Sequence, residues 1–361
     1  MSAYQSTPAN PTFSLLHLQV YQLSLASNKI SRERNTIEKL QSLANDKIAE
    51  AVSLLGWTVV WGPVVWKNDP DNHLTGPDHV WFVARPANAD IYVISVAGTA
   101  TIYNHIINNV GIAQVVDFMK WSPNTPPQPT STVNKTGTYV AFGTAQGVHI
   151  LSSYPAPTSA KGAGETLPNF LKGEKRRSAQ FIFTGFSLGG ALSPTLALAL
   201  TKAGELKDAK EVLTFPIAAP SCGNVHYATL FETTFREHPD NWNANVANEL
   251  DVVPQAWSTD SSLTQNLGNI PKIYGNDPAL PKVERKINRA KDAANKSGIV
   301  YIPLRSIFFT PRDANVKAPN DEDEFLKIAQ EQHSKSYLTY FVSQGAKEVD
   351  EGLFPDLFLD I

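Results

Sequence analysis

The sequence predicts an α/β fold with a mostly parallel central sheet covered by helices on both faces. Three observations carry this. Short apolar, β-branched runs alternate with helical patterns, the arrangement that places crossover helices on a parallel sheet. Residues 180–184 and 212–217 read as fully buried strands, with a helical pattern over 188–206 between them. The 361-residue chain is 42% apolar and 18% charged, enough for a large core and too little charge for disorder.

The elements follow in order. Residues 13–26 form a moderately apolar first helix. No Lys or Arg precedes them and His17, Gln19 and Gln22 interrupt them, so they do not read as a secretion leader. Residues 31–55 read as a long helix, with Ile37, Leu40, Leu43, Ile48, Ala51 and Leu55 on one stripe and Gly56 as the stop. Trp57–Trp66 is aromatic and β-branched, a strand broken at Gly62-Pro63. Residues 80–85 and 91–96 are two more strands around a short turn. Residues 122–138, rich in Pro, Thr and Asn, are a loop. Residues 259–298 are polar with little periodicity and read as an insertion. The acidic run 321–324 reads as a solvated helix start. The expected organisation is one domain over 1–361, with a helical segment at 1–56, a candidate lid at 100–121 and the insertion at 259–298.

Composition excludes several functions. With 31 Lys and Arg against 34 Asp and Glu, the chain has no basic footprint for nucleic acid. A single cysteine, Cys222, rules out an internal disulfide and a cysteine-based zinc site. No apolar run reaches membrane-spanning length. The sequence assigns no oligomeric state.

The strongest chemical signal is Gly185-Phe186-Ser187-Leu188-Gly189-Gly190. A Gly-x-Ser-x-Gly run marks the nucleophile elbow of an α/β-hydrolase when a strand precedes it and a helix follows. Phe181 to Thr184 supply the strand, and the apolar run from Ala191 supplies the helix. A Ser at the tip of that turn exposes its hydroxyl at a helix N-terminus, where developing negative charge is favoured. A nucleophilic Ser needs a base and the base needs an orienting acid, in the chain order Ser, acid, His. Asp251, near the end of a mostly apolar stretch closed by Pro254, is the favoured acid, with Asp240 and Asp260 as alternatives. His226, His238 and His333 follow Ser187, and only His333 lies beyond Asp251. Elimination therefore gives Ser187, Asp251 and His333. After Thr99, Ile102, Tyr103, Ile106, Ile107 and Val110 share one helical face, while Asn104, His105, Asn108 and Asn109 share the other.

At these residues the chain resembles the class 3 lipases, the filamentous-fungal triacylglycerol lipases and their bacterial relatives. Ser95-Val96-Ala97-Gly98-Thr99 resembles the oxyanion strand, and residues 184–191 the elbow. Residues 215–224 resemble the Gly-x-Pro-x-x-Gly-Asn region, and residues 248–254 with His333 and Tyr337 the acid and histidine blocks. The resemblance implies an α/β-hydrolase fold with a short lid helix and ester hydrolysis through an acyl-enzyme. It also implies an oxyanion hole from Thr99 and the N–H of Leu188, no cofactor or metal, a lipid or ester substrate, and transient contact with a lipid–water interface. It makes the 102–110 face a candidate lid. Two positions depart from it: Phe186 stands where the family usually has His, and Ala97 where it usually has Arg, which removes a structural ion pair. Pro194 falls inside the elbow helix, and the Asp251–His333 interval is long. The same triad would also serve a phospholipase, an acyltransferase or an esterase of soluble aryl esters, and a silent binding protein would lack a triad member.

Overall fold

The computed structural model describes residues 11–98, 111–173, 176–311 and 315–347. Among them nine strands run in chain order: β1 (Trp57–Trp66), β2 (His79–Pro86), β3 (Ile91–Val96), β4 (Val115–Asp117), β5 (Tyr139–Ala141), β6 (Gln180–Phe186), β7 (Glu211–Ile217), β8 (Asn245–Asn248) and β9 (Ser306–Phe309). The α-helices are α1 (Leu15–Ala26), α2 (Ile37–Leu54), α3 (Phe142–Ser153), α4 (Leu167–Lys172), α5 (Leu188–Lys202), α6 (Val225–Thr234), α7 (Pro281–Lys296), α8 (Glu322–His333) and α9 (Lys335–Ser343).

Seven strands form the main sheet in the order β1-β2-β3-β6-β7-β8-β9. The first two joins are antiparallel and the other four parallel. Strands β4 and β5 pair in a separate two-stranded sheet. This is the α/β-hydrolase architecture the sequence predicts.

Side-chain alternation divides the core. Val93, Ile182 and Leu213 face a layer containing Leu23 and Leu25 of α1, Leu40 and Ile48 of α2, and Phe341 of α9. Their neighbours Ile94 and Phe183 face a layer containing Val148 of α3 with Leu192 and Leu196 of α5. A third cluster lies apart from the sheet and joins Val252 and Val253 to Val283 and Ile287 of α7 and Phe325 and Ala329 of α8.

Four elements differ from expectation. The second helix begins at Ile37 rather than residue 31, because Ser31 to Asn35 supply no apolar stripe and Asn35 Oδ1 instead accepts the Thr36 N–H at 3.0 Å. Strand β1 is not broken at Gly62-Pro63: it continues with register shifts after Val59 and Trp61, and Gly62 takes φ +76°. At that bend Gly62 exchanges two backbone bonds with Lys161, at 2.9 and 3.0 Å. Helix α5 stops at Lys202, shortly before Gly204 at φ +74°, and it continues through Pro194. The 259–298 insertion contains α7, whose buried residues Val283, Ile287, Ala290 and Ala294 recur on one face.

Candidate active site

The site starts from the turn between β6 and α5. Ser187 has φ +62° and ψ −122°, a region costly for a non-glycine residue. Its N–H donates to the Ile217 carbonyl at 2.8 Å, which holds the turn against β7. The flanking glycines follow from backbone crowding. A Cβ on Gly185 would stand 2.3 Å from the Gly189 oxygen, and one on Gly189 would stand 2.2 Å from the Val96 oxygen. Leu188 opens α5, so its N–H lies in the first turn, where the helix provides no carbonyl partner.

The Ser187 Oγ lies 2.8 Å from His333 Nε2, and His333 Nδ1 lies 2.8 Å from Asp251 Oδ2. All three side chains are buried. Three different elements deliver them: the β6–α5 turn, the loop after β8, and the last residue of α8.

Asp251 is well supplied with donors. The Val253 N–H donates to Oδ1 at 2.9 Å, and the Tyr337 hydroxyl donates to Oδ2 at 2.9 Å. Burial first, then the neighbouring Asp251 charge, pushes the Tyr337 phenol well above its ordinary range, so the group stays a donor. The same hydroxyl accepts the Asn248 N–H at 2.9 Å. The Asn248 amide donates to the Gln332 carbonyl at 2.9 Å and to its side-chain oxygen at 2.8 Å, tying the end of β8 to the residue before His333. The Phe186 ring covers the imidazole with centroids 4.8 Å apart and meets Tyr337 edge-on at 5.3 Å.

The helix carrying His333 is anchored at its other end. Asp321 caps α8 by accepting the Glu324 N–H at 2.9 Å, and Glu322 pairs with Lys286 of α7 at 2.5 Å.

The structure thus brings together Ser187, Asp251 and His333, with Leu188 adjacent. Thr99 and the lid candidates Ile102, Tyr103, Ile106, Ile107 and Val110 lie outside the described residues. The other candidates lie apart: Asp260 accepts from Ser262, His238 sits beside Asp240 and Glu211, and His226 contacts the Lys135 carbonyl. The sequence assigned no role to Asn248, Gln332 or Phe186, and placed Tyr337 only within a block; the helix breaks at Ser334 between α8 and α9, so helical spacing from His333 did not mark it. Among the described residues no group of three or more His, Cys, Asp or Glu could hold a metal ion, and no helix is long and apolar enough to cross a membrane.

Residues 93–260 match the class 3 lipase family. That match takes in just under half of the chain and includes the elbow and the acid. The chain is a serine hydrolase of the lipase and esterase type. The matched stretch contains Ser187 and Asp251 and ends before His333, so the place of the histidine in this lipase rests on the geometry above. No curated protein matches the chain. Among solved structures the lipase resembles M37 lipase at 22% identity and a TM-score of 0.72, covering 91% of this chain and 92% of that one. That likeness shows the shared fold. It also resembles the lipase of Rhizopus microsporus var. chinensis (15% identity, TM-score 0.43, 71% and 76% covered) and the triacylglyceride lipase of Rhizomucor miehei (17%, 0.44, 70% and 78%).

Proposed function

We propose that this lipase hydrolyses carboxylic esters, triacylglycerols above all, through an acyl-enzyme on Ser187. The observation that carries the reading is the pair of 2.8 Å contacts joining Ser187 to His333 and His333 to Asp251. His333 Nε2 takes the hydroxyl proton as Oγ attacks the ester carbonyl, and Asp251 holds the imidazole and stabilises its protonated form. The N–H groups of Leu188 and Thr99 bind the oxyanion. When the tetrahedral intermediate collapses, the ester C–O bond breaks and His333 delivers its proton to the departing alcohol. Water then attacks the acyl-enzyme, losing a proton to His333, which returns it to Ser187. No step calls for a metal or organic cofactor.

Ser187→Ala is expected to lower hydrolysis of p-nitrophenyl and triacylglycerol esters by roughly 10⁶-fold while leaving the thermal transition in place. Retained turnover by a folded variant overturns the reading. A chain-length series run beside it separates a lipase, which gains activity on emulsified long-chain esters, from an esterase of soluble substrates.

The apolar face of residues 102–110 is proposed as the lid that meets the lipid–water interface, since it would be the surface offered to lipid. The expected lid span of 100–121 is too long, because residues 112–121 carry β4 and the buried side chains of Ile112, Val115, Phe118 and Trp121. Replacing Ile106 and Ile107 with Asp is expected to depress activity on emulsions more than on a dissolved short-chain ester. Equal losses on both substrates would remove the lid reading.

A further inference from the structure

The backbone that faces the elbow is fixed by a side chain from outside the family-matched stretch. Asn28 lies just beyond the end of α1 and is buried. Its Oδ1 accepts the Gly98 N–H at 3.0 Å, and its Nδ2 donates to the Ser24 carbonyl at 3.4 Å. Three residues earlier, Ser95 Oγ donates to the Leu23 carbonyl at 2.8 Å, so β3 and its extension are tied to α1 at two points. Between them the Ala97 N–H donates to the Val80 carbonyl at 2.8 Å, and the Ala97 methyl contributes no polar contact. On the opposite side the backbone of Gly189 rests on Val96 and Ala97 so closely that a Cβ would lie 2.2 Å from one carbonyl oxygen and 2.8 Å from the other. Residues 96–98 are therefore pressed between the end of α1 and the start of the elbow helix.

We propose that Asn28 is a positioning residue for the oxyanion hole. Its amide sets the height of the Gly98 backbone on the strand end that packs against the start of the elbow helix. The inference rests on the acyl-enzyme reading above. Oxyanion donors act only when aimed at the developing charge, about 2.7–3.1 Å from it, and a displacement of about 1 Å in a reacting group can cost about 10²-fold. The amide suits the task because it accepts from Gly98 and donates to Ser24 without bringing negative charge to a site where an oxyanion must form.

The test uses the full chain, p-nitrophenyl butyrate as substrate, and a fluorophosphonate to count reactive Ser187. Asn28→Ala is expected to lower kcat per titrated site about tenfold, a fraction of the loss of one oxyanion donor, with KM within about twofold. Asn28→Asp supplies a second readout. Its neutral carboxylic acid reproduces both hydrogen bonds, whereas the carboxylate loses the donor to Ser24 and repels the oxyanion. The ratio of Asn28→Asp to parent kcat should therefore fall as pH rises through the carboxyl titration. An unchanged kcat per site in Asn28→Ala, with only melting temperature or site count reduced, overturns the proposal, as does a flat pH ratio. If the parent shows no turnover that Ser187→Ala removes, the acyl-enzyme reading fails and takes this inference with it. A normal parent with an undiminished Asn28→Ala defeats this inference alone.

Discussion

At Asp251 the hydrogen bonds converge on a carboxylate with no solvent contact, so each donor matters more than it would in water. Tyr337→Phe deletes the hydroxyl that donates to Oδ2 and accepts from Asn248. A hydrogen bond to a charged group is worth about 1.5–3 kcal/mol; if about 1.4 kcal/mol of it is gained only as the imidazole becomes charged, kcat falls about tenfold. The Asn248 N–H is left buried without its acceptor, which costs about 1–3 kcal/mol of stability. Steady-state kinetics and urea denaturation check the two halves separately; an unaltered kcat would reduce Tyr337 to a packing role. Ser187 was legible from sequence because its signal is local: strand, glycine, turn and helix are contiguous. Asp251 and His333 were legible only through chain order. Tyr337, Asn248 and Gln332 carry no such mark, because their partners lie as far as 84–89 residues away in the chain. Phe186 was noticed as a departure, but its role depends on the ring of His333 being beside it.

Among elements, α7 shows why part of the fold stayed hidden. Eight of its sixteen residues are charged, and this swamps an apolar stripe that is half alanine. The stripe exists, with Val283, Ile287, Ala290 and Ala294 at helical spacing. It shares one buried cluster with Val252 and Val253 beside the acid and with Phe325 of α8, and Lys286 pairs with Glu322 of α8, so the insertion braces two parts of the site. Ile287→Ala is expected to destabilise by about 2–4 kcal/mol through lost burial and a residual cavity, read as a lower urea midpoint at an unchanged slope. A shift below about 0.5 kcal/mol, the range of surface substitutions, would show that α7 is an appendage rather than a brace. The strands with one dominant neighbour on each side, β3, β6 and β7, were the best read from sequence, since a buried parallel strand is almost uniformly apolar. Helix α2 was read too long at its start, where charged residues continued a pattern that needed apolar ones.

Across the whole molecule, nucleophile, acid and base come from positions 187, 251 and 333 and meet at one end of one sheet. This supports our proposal that the chain works as a single domain. Without disulfides its stability depends on burial, and Cys222 is part of that burial, its thiol pushed up to about 12 by desolvation. Burial also creates an acid weakness. His17 of α1 stacks on Trp242 with centroids 3.7 Å apart, and its Nδ1 lies 2.7 Å from Ser14 Oγ. Desolvation, then the proximity of His238, lowers its pKa to about 4. The unfolded chain, with His17 near 6.5, binds the proton more readily. Stability from this group is thus complete above about pH 6.5 and is lost as pH falls towards 4, about 3 kcal/mol in all. Urea denaturation at pH 7 and pH 4.5 should show the fall, and His17→Phe should flatten it. An equally steep fall in that variant would place the acid sensitivity elsewhere.

The bend in β1 has a bearing on how copies of this lipase meet one another. An outer strand with a straight run of unpaired amides is a template on which another chain can zip. Here Lys161 already occupies both backbone groups of Gly62, and the register shifts on either side turn the strand away from a straight line. At the far edge β9 is only four residues long. Among the described residues neither rim of the sheet offers a long straight run for strand-by-strand growth, so crowded copies would meet by their side-chain surfaces and not by extending their sheets.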